Sequence, residues 1–274
     1  MSKRMPQLIT IAERIKVITN IRKTAHAMQL ISMSTLSRLG IKKKNLQVYT
    51  QQLEILMQEL GLTLVPGSTK EPLYLIIGSQ KGFCGSFNIT LFNFIKELQK
   101  KEPKTFSCIA LGPYAHDFCK AQKMPILHDK IIFSLTNLSE KTDIIFNILS
   151  QLKHDYDSVV ILGNYNASIF LQRPEKTILP LHYNSDSKSA EQIFELEQPI
   201  SEIVENIGNL ILKNRIYYSL LESLRAENSA RALSMDNSTR NAKNLLTEMK
   251  LEYNKIRQAK VTKELTELSS AMIY

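Results

Sequence analysis

Tryptophan is absent, and of nine prolines none falls between Pro6 and Pro66 or after Pro199. Proline costs a helix interior about 3 kcal/mol and glycine about 1 kcal/mol. Only Gly40 and Gly61 interrupt the first of these stretches, and only Gly208 the last. Both ends are therefore free to form long helices, while the middle carries the punctuation of an ordinary domain. Three cysteines, Cys84, Cys108 and Cys119, are too few for a disulfide framework, and the odd number suits a reducing compartment. No apolar run approaches the ~20 residues that span a bilayer. The basic start has no apolar stretch behind it, so no secretory signal is expected. With 43% hydrophobic and 22% charged residues, the composition excludes wholesale disorder.

The charge is concentrated. Residues 1–44 hold ten Lys/Arg against a single acidic residue, Glu13, a local +9 that equals the net charge of the whole chain. The other 230 residues balance, 25 basic against 25 acidic. Such a segment fits nucleic acid, an anionic membrane surface, an acidic protein surface, or a solvated helix face. Aromatic residues do not interleave its cations, so a stacking platform for single-stranded nucleic acid has no support.

Apolar spacing at the two ends is helical. Leu8, Ile11, Ile15 and Ile18 step by 3, 4 and 3, and Leu39, Leu46, Leu53 and Leu60 recur every seven residues. Val261, Leu265, Leu268 and Met272 step by 4, 3 and 4, while Leu210, Tyr217 and Leu224 are seven apart. These are narrow coiled-coil seams rather than broad apolar faces. At about 1.5 Å per residue, the last 74 residues as one helix would run about 110 Å, too long for a domain of this mass. An antiparallel pair is the simplest way to bury both seams. The spacing leaves its register open, with Ile15 and Leu265 one candidate facing pair.

The middle alternates strand and helix patterns. Leu73–Ile77, Phe106–Leu111 and Ser158–Leu162 read as strands, as do the residues around Ser168–Leu171 and Lys176–Leu181. Leu91–Gln99, Pro113–Gln122 and Asp143–Lys153 read as helices, and His182–Glu191 as a polar loop. The expected fold class is α/β plus a long antiparallel coiled coil, around an open, mostly parallel sheet with flanking helices. The expected division is an N-terminal coiled-coil helix over residues 1–62, a central α/β domain over 70–196, and a C-terminal coiled-coil helix over 200–274.

Candidate chemistry is sparse. Gly78–Ser86 (GSQKGFCGS) follows a strand and precedes a helix, where phosphate loops lie. It fits neither a Walker A loop nor Gly-x-Gly-x-x-Gly, and its glycines suit a tight turn without a ligand. Cys84 at a helix start has no histidine in evident register to act as its base, and it reads as a small buried residue. No His/Cys/Asp/Glu cluster has metal-ligand spacing. A polar run, Glu227-Asn228-Ser229-Ala230-Arg231 and then Met235–Asn241, interrupts the last helix with poor interior helix formers. A functional contact or close approach to another helix competes there with simple exposure.

Read together, the two ends resemble the gamma subunit of F-type ATP synthases. The resemblance rests on Ile15–Met28 with the basic, Ser-rich Ser32–Arg38, and on Leu221–Arg231 and Met235–Ala242. Tyr253–Glu267 (YNKIRQAKVTKELTE) carries it further, with the central turn Ser79–Asn88. Gln80 stands where that family usually has Asp. The resemblance implies a non-catalytic rotor shaft without a cofactor, which couples ion flow through a membrane ring to ATP synthesis or hydrolysis in the beta subunits. The implied partners are the alpha and beta subunits of the catalytic hexamer, the epsilon subunit and the membrane c-ring, with no nucleic acid and no small-molecule substrate. The implied location is peripheral, on the cytoplasmic face of the bacterial inner membrane.

By residue match, Met28 is expected at the beta-subunit lever. Arg231 and Gln258 are expected at a loop above it, with Thr262, Glu264 and Glu267 near the bearing. Arg22, Lys23, Arg38, Lys42, Lys43 and Lys44 form the expected basic face toward the acidic levers. Two rival classes stay open on the residues alone: a nucleic-acid-binding coiled coil, and an α/β nucleotide-using enzyme built on Gly78–Ser86.

Overall fold

The computed structural model describes residues 4–59, 62–64, 71–101, 106–168, 171–181, 183–185 and 200–271. The elements in chain order are α1 (Arg4–Glu59), β1 (Leu62–Leu64), β2 (Leu73–Ile77), α2 (Phe87–Lys101), β3 (Cys108–Leu111) and α3 (Pro113–Ala121). They continue as α4 (Leu138–Gln151), β4 (Ser158–Ser168), β5 (Leu171–Pro180), β6 (Tyr183–Ser185) and α5 (Ile200–Ala271). The proline-poor ends are thus single helices of 56 and 72 residues. By compactness the chain divides into Met33–Ala230 and a second unit of Met1–Ser32 with Arg231–Tyr274.

In the Met33–Ala230 unit, four strands lie in the order β3-β2-β4-β5. β2 pairs in parallel with both β3 and β4, and only β5 runs antiparallel, as a hairpin with β4. Strand alternation sorts the core into two faces. Leu73, Leu75, Ile77, Ile109, Val159 and Ile161 pack with α4 and with Leu212, Ile216, Leu220, Leu221 and Leu224 of α5. Tyr74, Ile76, Cys108, Ala110, Val160 and Leu162 pack with Leu91 and Ile95 of α2 and Ala115 and Cys119 of α3. Strands covered on both faces are apolar throughout, which is why Leu73–Ile77 reads as a continuous run. Ile216, Leu220 and Leu221 are fully buried, each contributing about 1.5–3 kcal/mol of burial.

Within the same unit α1 and α5 run antiparallel. Lys43 pairs with Glu222 at 3.0 Å, Asn214 Nδ2 donates to Thr50 Oγ1 at 2.9 Å, and Arg215 Nη2 lies 2.7 Å from Glu54 Oε1. Of the seven-residue repeat, Leu39 and Leu53 are buried and Leu46 packs against the core; Leu60 lies outside the described residues.

In the other unit Gln29 Nε2 donates to Asp236 Oδ1 at 3.0 Å, and Ile11, Ala25, Ser32, Met235, Ala242 and Leu246 are buried. Counting equally along both helices from that pair sets Ile15 opposite Lys250, so the Ile15–Leu265 facing pair is incorrect. The same count sets Arg4 opposite Val261. Val261, Leu265 and Leu268, expected in a seam, are 48%, 60% and 60% exposed, at or beyond the level of Arg4, the first described residue of α1; Met272 lies outside the described residues. Two further corrections concern the middle. The strand pattern near Lys176–Leu181 belongs to a longer strand starting at Leu171. Tyr183–Ser185, expected within a polar loop, pairs antiparallel with Leu62–Leu64; His182 and residues 186–191 lie outside the described residues.

Candidate functional site

The expected contact residues are spread along the helices rather than gathered into one site. Met28 is half-buried, next in chain to the Gln29–Asp236 pair. Arg231 is 6% exposed, whereas Gln258, Thr262, Glu264 and Glu267 are all exposed. Gln258 lies about six helical turns beyond Asp236. Glu264 and Glu267 pair with Lys260 and Lys263 at 3.6 Å, one turn back in each case. Exposed pairs of this kind contribute about 0.3–0.5 kcal/mol each and leave the carboxylates free to exchange partners.

The basic segment is not uniform either. Lys23, Arg38, Lys42 and Lys44 are exposed and Arg22 is half-buried. Lys43 turns inward: its Nζ meets the buried Glu222 and lies 5.8 Å from the centre of the Tyr218 ring. Glu222 also holds Arg225 at 2.7 Å. Lys43 is thus paired with an internal charge.

The second feature is the turn after β2. Ser79 N–H donates to Asn88 Oδ1 at 3.1 Å, and Asn88 Nδ2 donates to Ser79 Oγ at 2.8 Å, which ties the turn to the first residues of α2. Gln80 bridges two neighbours: its Nε2 donates to Gly78 O at 3.2 Å, and its Oε1 accepts from Phe133 N–H at 3.0 Å. Gly112, at φ +90°, makes room for that amide, because a Cβ there would lie 2.7 Å from Gln80 Nε2. Cys84 is buried, its Sγ donating to Lys81 O and accepting from Asn88 Nδ2, both at 3.8 Å. This is the small buried turn residue expected from the sequence rather than an exposed nucleophile.

Glu227 closes this turn onto α5. Its carboxylate is buried and accepts from Gln80 N–H at 2.8 Å and from Lys81 N–H at 3.1 Å. Two adjacent backbone N–H groups at the carboxyl end of a parallel strand are what a phosphate binds in nucleotide folds. Here the chain's own carboxylate occupies them. Ala226 and Ala230, one turn apart, pack with Cys84 and Phe87, and Ser229 Oγ accepts from Gln172 Nε2 of the β4–β5 hairpin at 3.2 Å. Part of the polar run thus faces the α/β core, and Asp236 further along faces α1. The spacing of Glu227 hinted at a contact, yet nothing in the sequence paired it with Gln80. Among the described residues, no group of three or more His, Cys, Asp or Glu could hold a metal ion.

The geometry can be set beside known proteins. The family model described as ATP synthase matches residues 7–272. The ATP synthase gamma chain of Campylobacter jejuni is 28% identical over 290 residues, covering 98% of this chain and 99% of its own. That of Clostridium kluyveri is 27% identical over 271 residues, covering 95% of each. Among solved structures, a chain of the Euglena gracilis mitochondrial ATP synthase (OSCP/F1/c-ring) superposes with a TM-score of 0.75. It is 17% identical and covers 98% of this chain and 94% of its own. A chain of the Tetrahymena thermophila central stalk and c-ring superposes at 0.61, 18% identical, covering 78% and 98%.

Proposed function

The chain belongs to the ATP synthase gamma-chain family, and on that premise we propose that it works as a coupling shaft with no catalytic site of its own. In this reading rotation of the helix pair links ion flow through a membrane ring to ATP synthesis or hydrolysis in separate beta subunits. The observation that carries it is the pair of helices, 56 and 72 residues long, bracketing an α/β body whose nucleotide-like turn is filled by Glu227. A body of that kind can bear load, and the two N–H groups of its turn are already engaged by Glu227.

The partners in this reading are the alpha and beta subunits of a catalytic hexamer, an epsilon subunit and a membrane c-ring. The names of the matched chains, which include ATP synthase, F1 and a c-ring, support a place in such an assembly. None of the described helices is long and apolar enough to cross a membrane; the proposed place is peripheral, at the cytoplasmic face of a bacterial inner membrane. The working division is a shaft of residues 1–62 and 200–274 and a body of 70–196. Met28, Arg231, Gln258, Thr262, Glu264 and Glu267 are the proposed stator-facing contacts, with Arg22, Lys23, Arg38, Lys42 and Lys44 as the cationic face. Lys43, given its internal pairing, is proposed to support that face from inside.

The test is reconstitution. Alpha and beta subunits of the same organism, assembled with this chain and a c-ring in vesicles, should hydrolyse ATP and pump ions. Omission of this chain should abolish pumping. Robust hydrolysis by the purified chain alone, lost in Lys81→Ala, would instead establish an enzyme.

A further inference from the structure

We propose that Glu227 and the Gln80–Lys81 backbone form a latch that transmits torque between α5 and the α/β body. This rests on the coupling function proposed above and assigns it a positioning residue. Three observations converge on one helical turn. Glu227 holds two successive N–H groups, at 2.8 and 3.1 Å. The side chain of the same Gln80 reaches on to Gly78 O and Phe133 N–H, so the turn is fixed to the sheet as well as to the helix. On the same stretch of α5, Ser229 is held by Gln172, and Ala226 and Ala230 let Cys84 and Phe87 pack closely; Asn164 Nδ2 in turn holds Phe87 O at 2.7 Å. Ala230 is the last α5 residue of the unit that contains the sheet.

Apolar packing resists separation of two surfaces but is non-directional, so it opposes sliding and twisting weakly. Hydrogen bonds to a buried carboxylate are short and directional, and they resist rotation about the helix axis. The alternative role for a carboxylate here is to keep the turn folded and nothing more. The two roles separate experimentally: a merely structural residue would alter local protection without altering ions moved per ATP.

The experiment uses the assembled complex in vesicles with Glu227→Ala and Glu227→Gln. Glutamine keeps the size but offers one carbonyl oxygen and an NH2 group to two N–H donors, so one N–H loses its partner. Amide exchange over the turn should rise about tenfold or more in Glu227→Ala, and less in Glu227→Gln. ATP hydrolysis should stay within about twofold of the parent, while ions pumped per ATP fall at least about threefold, in the order Ala below Gln below parent. Should Glu227→Ala fail to assemble, Gln80→Ala keeps the N–H groups of the latch, removes only the side-chain bonds that tie its turn to Gly78 and Phe133, and should lower pumping per ATP less than Glu227→Gln. Faster exchange with unchanged pumping per ATP would overturn the latch, as would unchanged exchange. A parent complex that hydrolyses ATP without pumping would overturn the coupling function itself.

Discussion

Lys43 on α1 reaches Glu222 on α5 with Nζ and Oε1 3.0 Å apart, and Arg225 approaches the same oxygen at 2.7 Å. The Glu222 side chain is 9% exposed and that of Lys43 is 24% exposed. One buried carboxylate therefore answers two cations, and its loss is not equivalent to the loss of either partner. Glu222→Ala leaves Lys43 and Arg225 facing each other. We expect a cost of about 2–3 kcal/mol, below that of a fully buried pair because the lysine is partly solvated. Lys43→Met keeps the stem over Tyr218 and leaves Arg225 to neutralise Glu222, so it should cost about 1 kcal/mol or less. Urea unfolding midpoints at constant slope check the order; equal losses would count against it.

Register is directly testable with cysteine pairs. Gln29→Cys with Asp236→Cys, and Thr50→Cys with Asn214→Cys, replace side chains already in hydrogen-bond contact. Both should crosslink with a short bismaleimide, which spans side chains in contact without needing the Cα spacing of a disulfide. Ile15→Cys with Leu265→Cys should not, because Leu265 lies beyond the part of α5 that α1 covers. Efficient crosslinking of that last pair would mean a slipped register.

Met28 is half-buried on α1, and we propose that it faces an acidic beta-subunit lever. A sliding contact works best when soft, and methionine is flexible, polarizable and makes no directional bond. Met28→Lys adds a cation able to pair with that lever, and a partly desolvated pair exceeds the ~0–1 kcal/mol of a surface bridge. One rotational angle then becomes a deeper well. Assembly and ATP hydrolysis should persist while ions pumped per ATP fall. Unchanged pumping per ATP, with assembly verified, would reduce Met28 to a packing residue.

Cys108 on β3 and Cys119 on α3 are both fully buried, and their thiols interact with one another. That bond and burial push Cys119 well above its ordinary thiol value, while accepting the bond lowers Cys108. A group raised in the folded state stabilises fully below its unfolded value, near 9.0, and that share is lost as pH climbs above it. The parent should therefore lose stability between about pH 9 and 10.5 faster than a variant carrying both Cys108→Ala and Cys119→Ala, since Cys108, lowered only by its bond to Cys119, would itself be raised by burial in Cys119→Ala. Tyr217, also raised by burial, declines alike in both proteins and drops out of the difference. Parallel pH curves for parent and variant would refute the assignment. Neither thiol should react with an aromatic disulfide reagent at pH 8 until the chain unfolds.

Local chemistry determined much of this protein by itself. Missing prolines and a repeating apolar spacing left both ends no better option than long helices, and Leu73–Ile77 could only be a strand covered on both faces. Motifs such as Tyr253–Glu267 carried the family because they are contiguous in the chain. Tertiary structure alone decided the rest, since each remaining feature depends on a partner far away in sequence. Periodicity cannot distinguish a seam that meets a neighbour from one that outruns it, so Leu265 and Leu268 read as buried and stand exposed. Charge counting cannot tell Lys44, which faces solvent, from Lys43, which faces Glu222. The polar run in α5 left a contact and simple exposure both open; only the packing of the β2–α2 turn onto that helix made Glu227 the ligand of Gln80 and Lys81.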